Sequence, residues 1–145
     1  MPTLSERDSI YPFEFYIPGT PKSLQASAGS KNRWKEQIRE AARERTRQLT
    51  DFPFIDNRPL AVTLYYFPAA RMDGDVDNIV KPIVDALEGM AYLEDRAIDR
   101  VVVQKFEPEV DWRFDGPSQQ LAGALDTVAP VVYIRVDDDL SWRTL

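Results

Sequence analysis

The sequence predicts an α+β (mixed α/β) fold, with about four strands in one mixed sheet and two main helices packed on it. Three observations carry that prediction. Apolar or aromatic runs of strand length stand at residues 13–17, 60–67, 100–107 and 131–136, and two intervening segments repeat apolar residues at near-helical spacing. The resulting order of strand, helix, strand, helix, strand, strand implies two crossover connections, each right-handed. At 145 residues and 43% hydrophobic content, residues 1–145 suit one domain with a real core.

Each element has a local reason. Phe13 to Ile17 ends in Pro18-Gly19-Thr20-Pro21, the pattern of a strand entering a turn. Residues 23–30 are mostly Ser, Ala and Gly and read as a loop, with Ser30 or Asn32 capping the helix that follows. Trp34, Ile38, Ala41, Ala42 and Leu49 then bury one face of a helix over about 32–49, and the other face carries most of the arginines. The plain reading of those charges is a solvated face laced with ion pairs; contact with DNA is the alternative. Leu60 to Phe67 is a continuous apolar run expected in the middle of the sheet. Ile79, Val80, Ile83, Val84, Ala86, Leu87 and Met90 mark the second helix, with Asp77 as its N-cap and Gly89 near its end. Pro82 in its second turn should bend it or delay its regular start. Arg100 to Glu107 and Val131 to Val136 complete the strands, separated by an insertion at about 108–130 that is too long for a hairpin loop and has a short helix at Ser118 to Leu125. The acidic tail Asp137-Asp138-Asp139 reads as a solvated terminus.

Composition narrows the chemistry. The chain contains no histidine and no cysteine, which removes imidazole and thiolate ligands, cysteine nucleophiles and Ser-His-Asp catalysis together. What remains is carboxylate-held Mg²⁺ or Mn²⁺, a paired-carboxylate hydrolase, or a lysine nucleophile. No run approaches eighteen apolar residues and Met1 to Ile10 is polar, so neither a membrane span nor a secretory signal is expected, and the cytoplasm is the expected location. The net charge of −6 argues at first sight against a polyanionic partner. The charge is divided, however: residues 1–72 hold 11 basic against 8 acidic side chains, and 73–145 hold 7 against 16. A bound divalent cation would cancel part of the acidic side's repulsion of phosphate.

The chemistry concentrates between Arg71 and Asp99. Asp73, Asp75 and Asp77 lie two apart, so in an extended chain their carboxylates project to one side and can gather a hard cation, with Asp95 or Asp99 as a further ligand. Lys81, one helical turn past Asp77, can place positive charge on a phosphate or a leaving oxygen. An EF-hand reading fails because its sixth position is Asn78 and its twelfth is Val84, where glycine and glutamate are required. A glycosidase carboxylate pair lacks a recognisable aromatic platform. The bland alternative is an acidic turn capping a helix, with Lys81 and Asp85 as an ordinary i,i+4 pair.

The stretch Asp75-Val76-Asp77-Asn78-Ile79-Val80-Lys81-Pro82-Ile83-Val84-Asp85-Ala86-Leu87, followed by Tyr92-Leu93-Glu94-Asp95, resembles the signature of the RusA family of Holliday junction resolvases. Phe15 to Lys22 is similar to that family's opening strand and turn. The resemblance implies a homodimeric, Mg²⁺-dependent endonuclease (Mn²⁺ as the substitute) that nicks opposing strands of a four-way DNA junction in recombination and repair. It implies Asp75 and Asp77 as metal ligands and Lys81 as the catalytic lysine. The family usually shows two adjacent aspartates after the second helix; this chain departs with Asp95-Arg96, leaving Asp95 or Asp99 as the third acidic ligand. Lys22, Lys31, Arg33, Lys35 and Arg71 are the expected contacts to branched-DNA phosphates, a contact type that carries no sequence information. The alternatives are a junction-binding module that does not cut, and a related nuclease acting on other branched DNA.

Overall fold

The computed structural model describes residues 10–49, 58–139 and 141. Its four strands are β1 (Phe13–Pro18), β2 (Leu60–Phe67), β3 (Ile98–Lys105) and β4 (Val131–Asp137), arranged in the order β1-β4-β2-β3. β4 runs antiparallel to both β1 and β2, and β3 runs parallel to β2, so the sheet is mixed. The apolar run of β2 therefore does lie inside the sheet, flanked on both sides. A register shift between Leu60 and Ala61 leaves Asp99 as an extra residue at the start of β3.

Three helices connect these strands: α1 (Ala28–Gln48), α2 (Val80–Leu87) and α3 (Gln119–Leu125). Helix α1 starts four residues before the expected 32, because Ser27 is the cap and its hydroxyl accepts from the Ser30 N–H at 3.1 Å. The small residues Ala28 and Gly29 look like loop by composition, yet the cap immediately before them makes them part of the first turn. Helix α2 differs in the other direction. A 3₁₀ turn over Val76–Ile79 precedes it, and Asp77 lies inside that turn with no capping bond from its side chain. Pro82 is thus the third residue of α2, where its missing N–H is one that a helix leaves unpaired anyway. Gly89 ends the helix at φ +82°, a conformation that favours glycine.

Helices α1 and α2 cover one face of the sheet. Trp34, Ile38 and Ala42 from α1 meet Ile83 and Leu87 from α2 over Val62, Leu64 and Ile134, all buried. Burying a Leu or Ile side chain contributes on the order of 1.5–3 kcal/mol, so this layer is the main source of stability. The opposite face is covered by the insertion. Leu121 and Ala124 of α3 pack with Phe67, Val131 and Tyr133, and Tyr65, Phe106 and Phe114 close over them. Ser118 caps α3 and also donates to the Glu14 carboxylate at 2.6 Å, tying the insertion to β1. Tyr133 donates to the same carboxylate, and burial holds its phenol above the usual range. The tail is less solvated than expected: Asp137 closes β4 and pairs with Arg135 at 3.2 Å, and Asp138 pairs with Arg58 at 2.8 Å. No helix among the described residues is long and apolar enough to cross a membrane.

Candidate active site around the aspartate turn

The site begins where β2 ends. Phe67 is the last buried strand residue, Pro68 after it is still buried, and the chain then comes to the surface, with Ala69, Ala70, Arg71, Asp73, Gly74 and Asp75 exposed. Asp75 is still extended at φ −77° and ψ 139°, and its carbonyl accepts the Asn78 N–H at 3.2 Å to close the 3₁₀ turn. The alternation expected for Asp73, Asp75 and Asp77 therefore stops at Asp75. Asp77 is carried by the turn, exposed, on different geometry from the other two.

A cleft of about 510 Å³ opens beside this loop and brings Lys22, Arg71, Asp73 and Asp75 together, with Tyr66 also in its wall. The loop carrying Lys22 is held against the motif because the Leu24 N–H donates to the Asn78 carbonyl at 3.0 Å. Lys31 supports that loop from α1 by donating to the Leu24 carbonyl at 3.0 Å, so it acts on the loop's backbone and does not face the aspartates. Arg33 lines a separate cleft with Glu36 and Glu40, between α1 and Ile17 and Pro18 at the end of β1. Further along α1, Arg39, Arg43 and Arg47 pair with glutamates of their own helix, and the Arg45 side chain donates to the Glu14 carbonyl. This is the solvated, ion-paired face the composition suggested, with mainly i,i+3 spacing.

Lys81 is half exposed and stands between two carboxylates. Its ammonium donates to Asp85 at 2.7 Å and lies 3.8 Å from Asp95. The hydrogen bond to Asp85 raises its pKa, so the side chain remains a cation across the neutral range. Lys35 reaches across from α1 to the same Asp85 at 3.7 Å, which joins the basic helix to α2. The i,i+4 pair of the bland reading is therefore present, but it belongs to a larger group of two lysines and two aspartates.

The structure separates Asp95 from Asp99. Asp95 opens a short 3₁₀ turn, Asp95–Ala97, and faces Lys81. Asp99 lies where β3 pairs with the first residues of β2, the end of the sheet opposite to that from which the aspartate loop leaves. Buried Tyr92 braces the Asp95 segment: its hydroxyl donates to the Val84 carbonyl, and its own carbonyl accepts the Gly89 N–H at 2.7 Å. Sequence reading gave Tyr92 only as part of a motif, because a brace across eight residues leaves no periodic trace.

For a metal ion, donor type and donor geometry give different answers. Exposed carboxylates without histidine or cysteine are the donors of a hard, oxygen-seeking cation such as Mg²⁺. Among the described residues, however, no three carboxylates come together as a ligand group. Mg²⁺ commonly takes one or two protein carboxylates and completes its shell with water and substrate phosphate, so the donor set fits that mode and not a closed protein cage.

A family model described as endodeoxyribonuclease RusA matches residues 20–111. The matched span contains the Lys22 loop, α1, the aspartate turn, Lys81 and Asp95. No curated protein matches the chain.

Proposed function

Because the chain belongs to the RusA family of Holliday junction resolvases, we propose that it is a Mg²⁺-dependent endonuclease that cuts four-way DNA junctions by phosphodiester hydrolysis, as a homodimer, in recombination and repair. The observation that carries this reading is Lys81, fixed as a cation between Asp85 and Asp95 at the start of the helix that follows the Asp75-Val76-Asp77-Asn78 turn. Asp75 and Asp77 are the protein ligands in this reading, with Asp95, 3.8 Å from Lys81, as the third. Bound there, Mg²⁺ or Mn²⁺ supplies an activated water and neutralises developing phosphate charge.

The chain's own groups supply the rest. Lys81 offers its ammonium to the scissile phosphate or the departing oxygen, in a surface site where a fixed cation stabilises charge that appears in the transition state. Lys22 and Arg71, in the wall of the same cleft, hold flanking phosphates. Those contacts position the backbone without reading bases and should weaken steeply with salt. Two symmetric cuts require two sites, which is what a twofold pair of chains provides.

A second reading is favoured by one observation. Since no three carboxylates gather among the described residues and Asp95 faces Lys81, the chain would bind junctions without cutting them if DNA does not complete the site. Incubating the purified chain with labelled four-way junction or linear duplex, in Mg²⁺ or chelator, separates the two. Paired nicks on the junction in Mg²⁺ alone are the expected result. Junction binding without nicks establishes the second reading, and equal cutting of linear duplex overturns junction specificity.

A further inference from the structure

We infer that Glu107 is a positioning residue for the aspartate loop; the inference rests on the nuclease reading above and extends it to a residue outside the motif. The strands β2 and β3 are parallel, so the loop after Phe67 and the chain after Lys105 leave the same end of the sheet. The Phe106 N–H donates to the Tyr66 carbonyl at 2.8 Å, which carries the ladder one residue past the strand and sets Glu107 beside the loop. There the Glu107 carboxylate accepts the Met72 N–H at 2.7 Å. Among the described residues this is the one hydrogen bond that joins the backbone of residues 68–74 to the rest of the fold. Met72 and Val76 pack against the core, but between them Gly74 has open space where a Cβ would stand, so the backbone that carries Asp73 and Asp75 depends on this bond for its position.

The anchor is itself supported. Lys105 lies 3.3 Å from the other carboxylate oxygen, and the Glu107 side chain is only 16% exposed. The Met72 N–H, followed by Lys105 and nearby Arg71, lowers its pKa, in keeping with an ionised carboxylate that accepts from the backbone. Met72 immediately precedes Asp73 and lies three residues before Asp75, and both aspartates line the cleft, so freeing the Met72 N–H loosens the backbone that carries them. Glu107 touches neither phosphate nor metal in this scheme. It acts through the backbone, by holding the segment that carries Asp73 and Asp75 in the cleft they share with Lys22 and Arg71. The competing role, a plain ion pair with Lys105, would leave the loop indifferent to its removal.

The test compares Glu107→Ala and Glu107→Gln in the full-length chain, with three readouts: single-turnover cleavage of a four-way junction, junction affinity, and amide hydrogen exchange of the loop. Glu107→Ala should slow cleavage about tenfold or more, since small misplacements of reacting groups are costly. Junction affinity should change less than about threefold, because backbone-phosphate contacts from elsewhere supply it. Exchange across residues 70–76 should accelerate in the alanine variant. Glu107→Gln keeps an oxygen for the Met72 N–H and should recover most of the rate and the protection. Unchanged loop exchange in Glu107→Ala overturns the inference whatever the cleavage result, as does an alanine variant that cleaves at the wild-type rate. A wild-type chain that cuts no junction while Glu107→Ala still loosens the loop would overturn the nuclease reading and leave the anchor standing.

Discussion

Two segments leave the same end of the sheet and are held in opposite ways. The aspartate loop after β2 exposes its carboxylates, packs only Met72 and Val76 against the core, and is otherwise joined to the fold by single polar bonds, from Met72 to Glu107 and from Leu24 to Asn78. The insertion after β3 is held by rings: Phe67 stacks on Phe106 at 5.0 Å, Trp112 lies 5.4 Å from Phe67, and Phe114 lies 5.6 Å from Tyr65. Aromatic pairs bury large areas and add about 0.5–1.5 kcal/mol beyond that burial, whereas a single hydrogen bond nets about 1 kcal/mol. Stability and chemistry are thus assigned to neighbouring loops. The carboxylates can stay solvated and available to a cation because the loop beside them does the packing.

That division predicts which substitutions should cost activity and which should cost stability. Lys81→Met should lower single-turnover junction cleavage by about 100-fold, comparable to losing one transition-state donor. Its melting temperature should barely move, since the side chain is half exposed. Phe114→Ala should do the reverse, with a loss of about 2 kcal/mol in urea unfolding, below the 3–5 kcal/mol of a fully buried phenylalanine. The cleavage rate of the folded fraction should be retained. Ser118→Ala removes both the α3 cap and the donor to Glu14, and should cost about 1 kcal/mol or somewhat more in the same experiment. Gly123→Ala is a finer probe. A Cβ there would stand 2.7 Å from the Tyr16 ring, so the ring must shift, and the strain should cancel or exceed the roughly 1 kcal/mol gain in helix propensity. A clear stabilisation would show that α3 is not seated on β1 as described.

The smallest effect concerns pH. The Glu107 carboxyl is held below its ordinary 4.5, so the stabilisation it gives the loop is present above that value and is lost only as pH falls through the lowered one. Relative to Glu107→Ala, loop protection in hydrogen exchange should therefore persist down to about the ordinary carboxylate range and disappear below it. Protection lost above that range would point to another anchor.

The aspartate loop was legible in the sequence, as was the short helix at Ser118 to Leu125, but the seat of the insertion on the sheet was not, for physical reasons visible in particular residues. Asp75, Asp77, Asn78 and Lys81 lie within seven residues, and the spacing of their chemistry is local. The strands and both main helices follow apolar periodicity, which is also local. By contrast, the insertion is fixed by Ser118 to Glu14, 104 residues apart in sequence, and by rings that meet Tyr65 and Phe67 from 49 and 45 residues away. Nothing in the spacing of residues 108–130 encodes those partners. The helix starts were misjudged in a similar way: Ser27, not Ser30, caps α1, and Asp77 sits inside a 3₁₀ turn instead of capping α2. Choosing between Asp95 and Asp99 required the fold, in which Asp95 faces Lys81 and Asp99 falls at the register shift that opens β3. Glu107 was read as the end of a strand because its function lies in a backbone bond 35 residues back.

The most direct test of the site is Asp75→Asn, which removes one charge and preserves size and fold. Measured side by side on a labelled four-way junction in Mg²⁺, cleavage should fall below detection while junction binding is retained or strengthened. Cleavage at a rate near wild type would contradict the assignment of the aspartate turn as the catalytic centre.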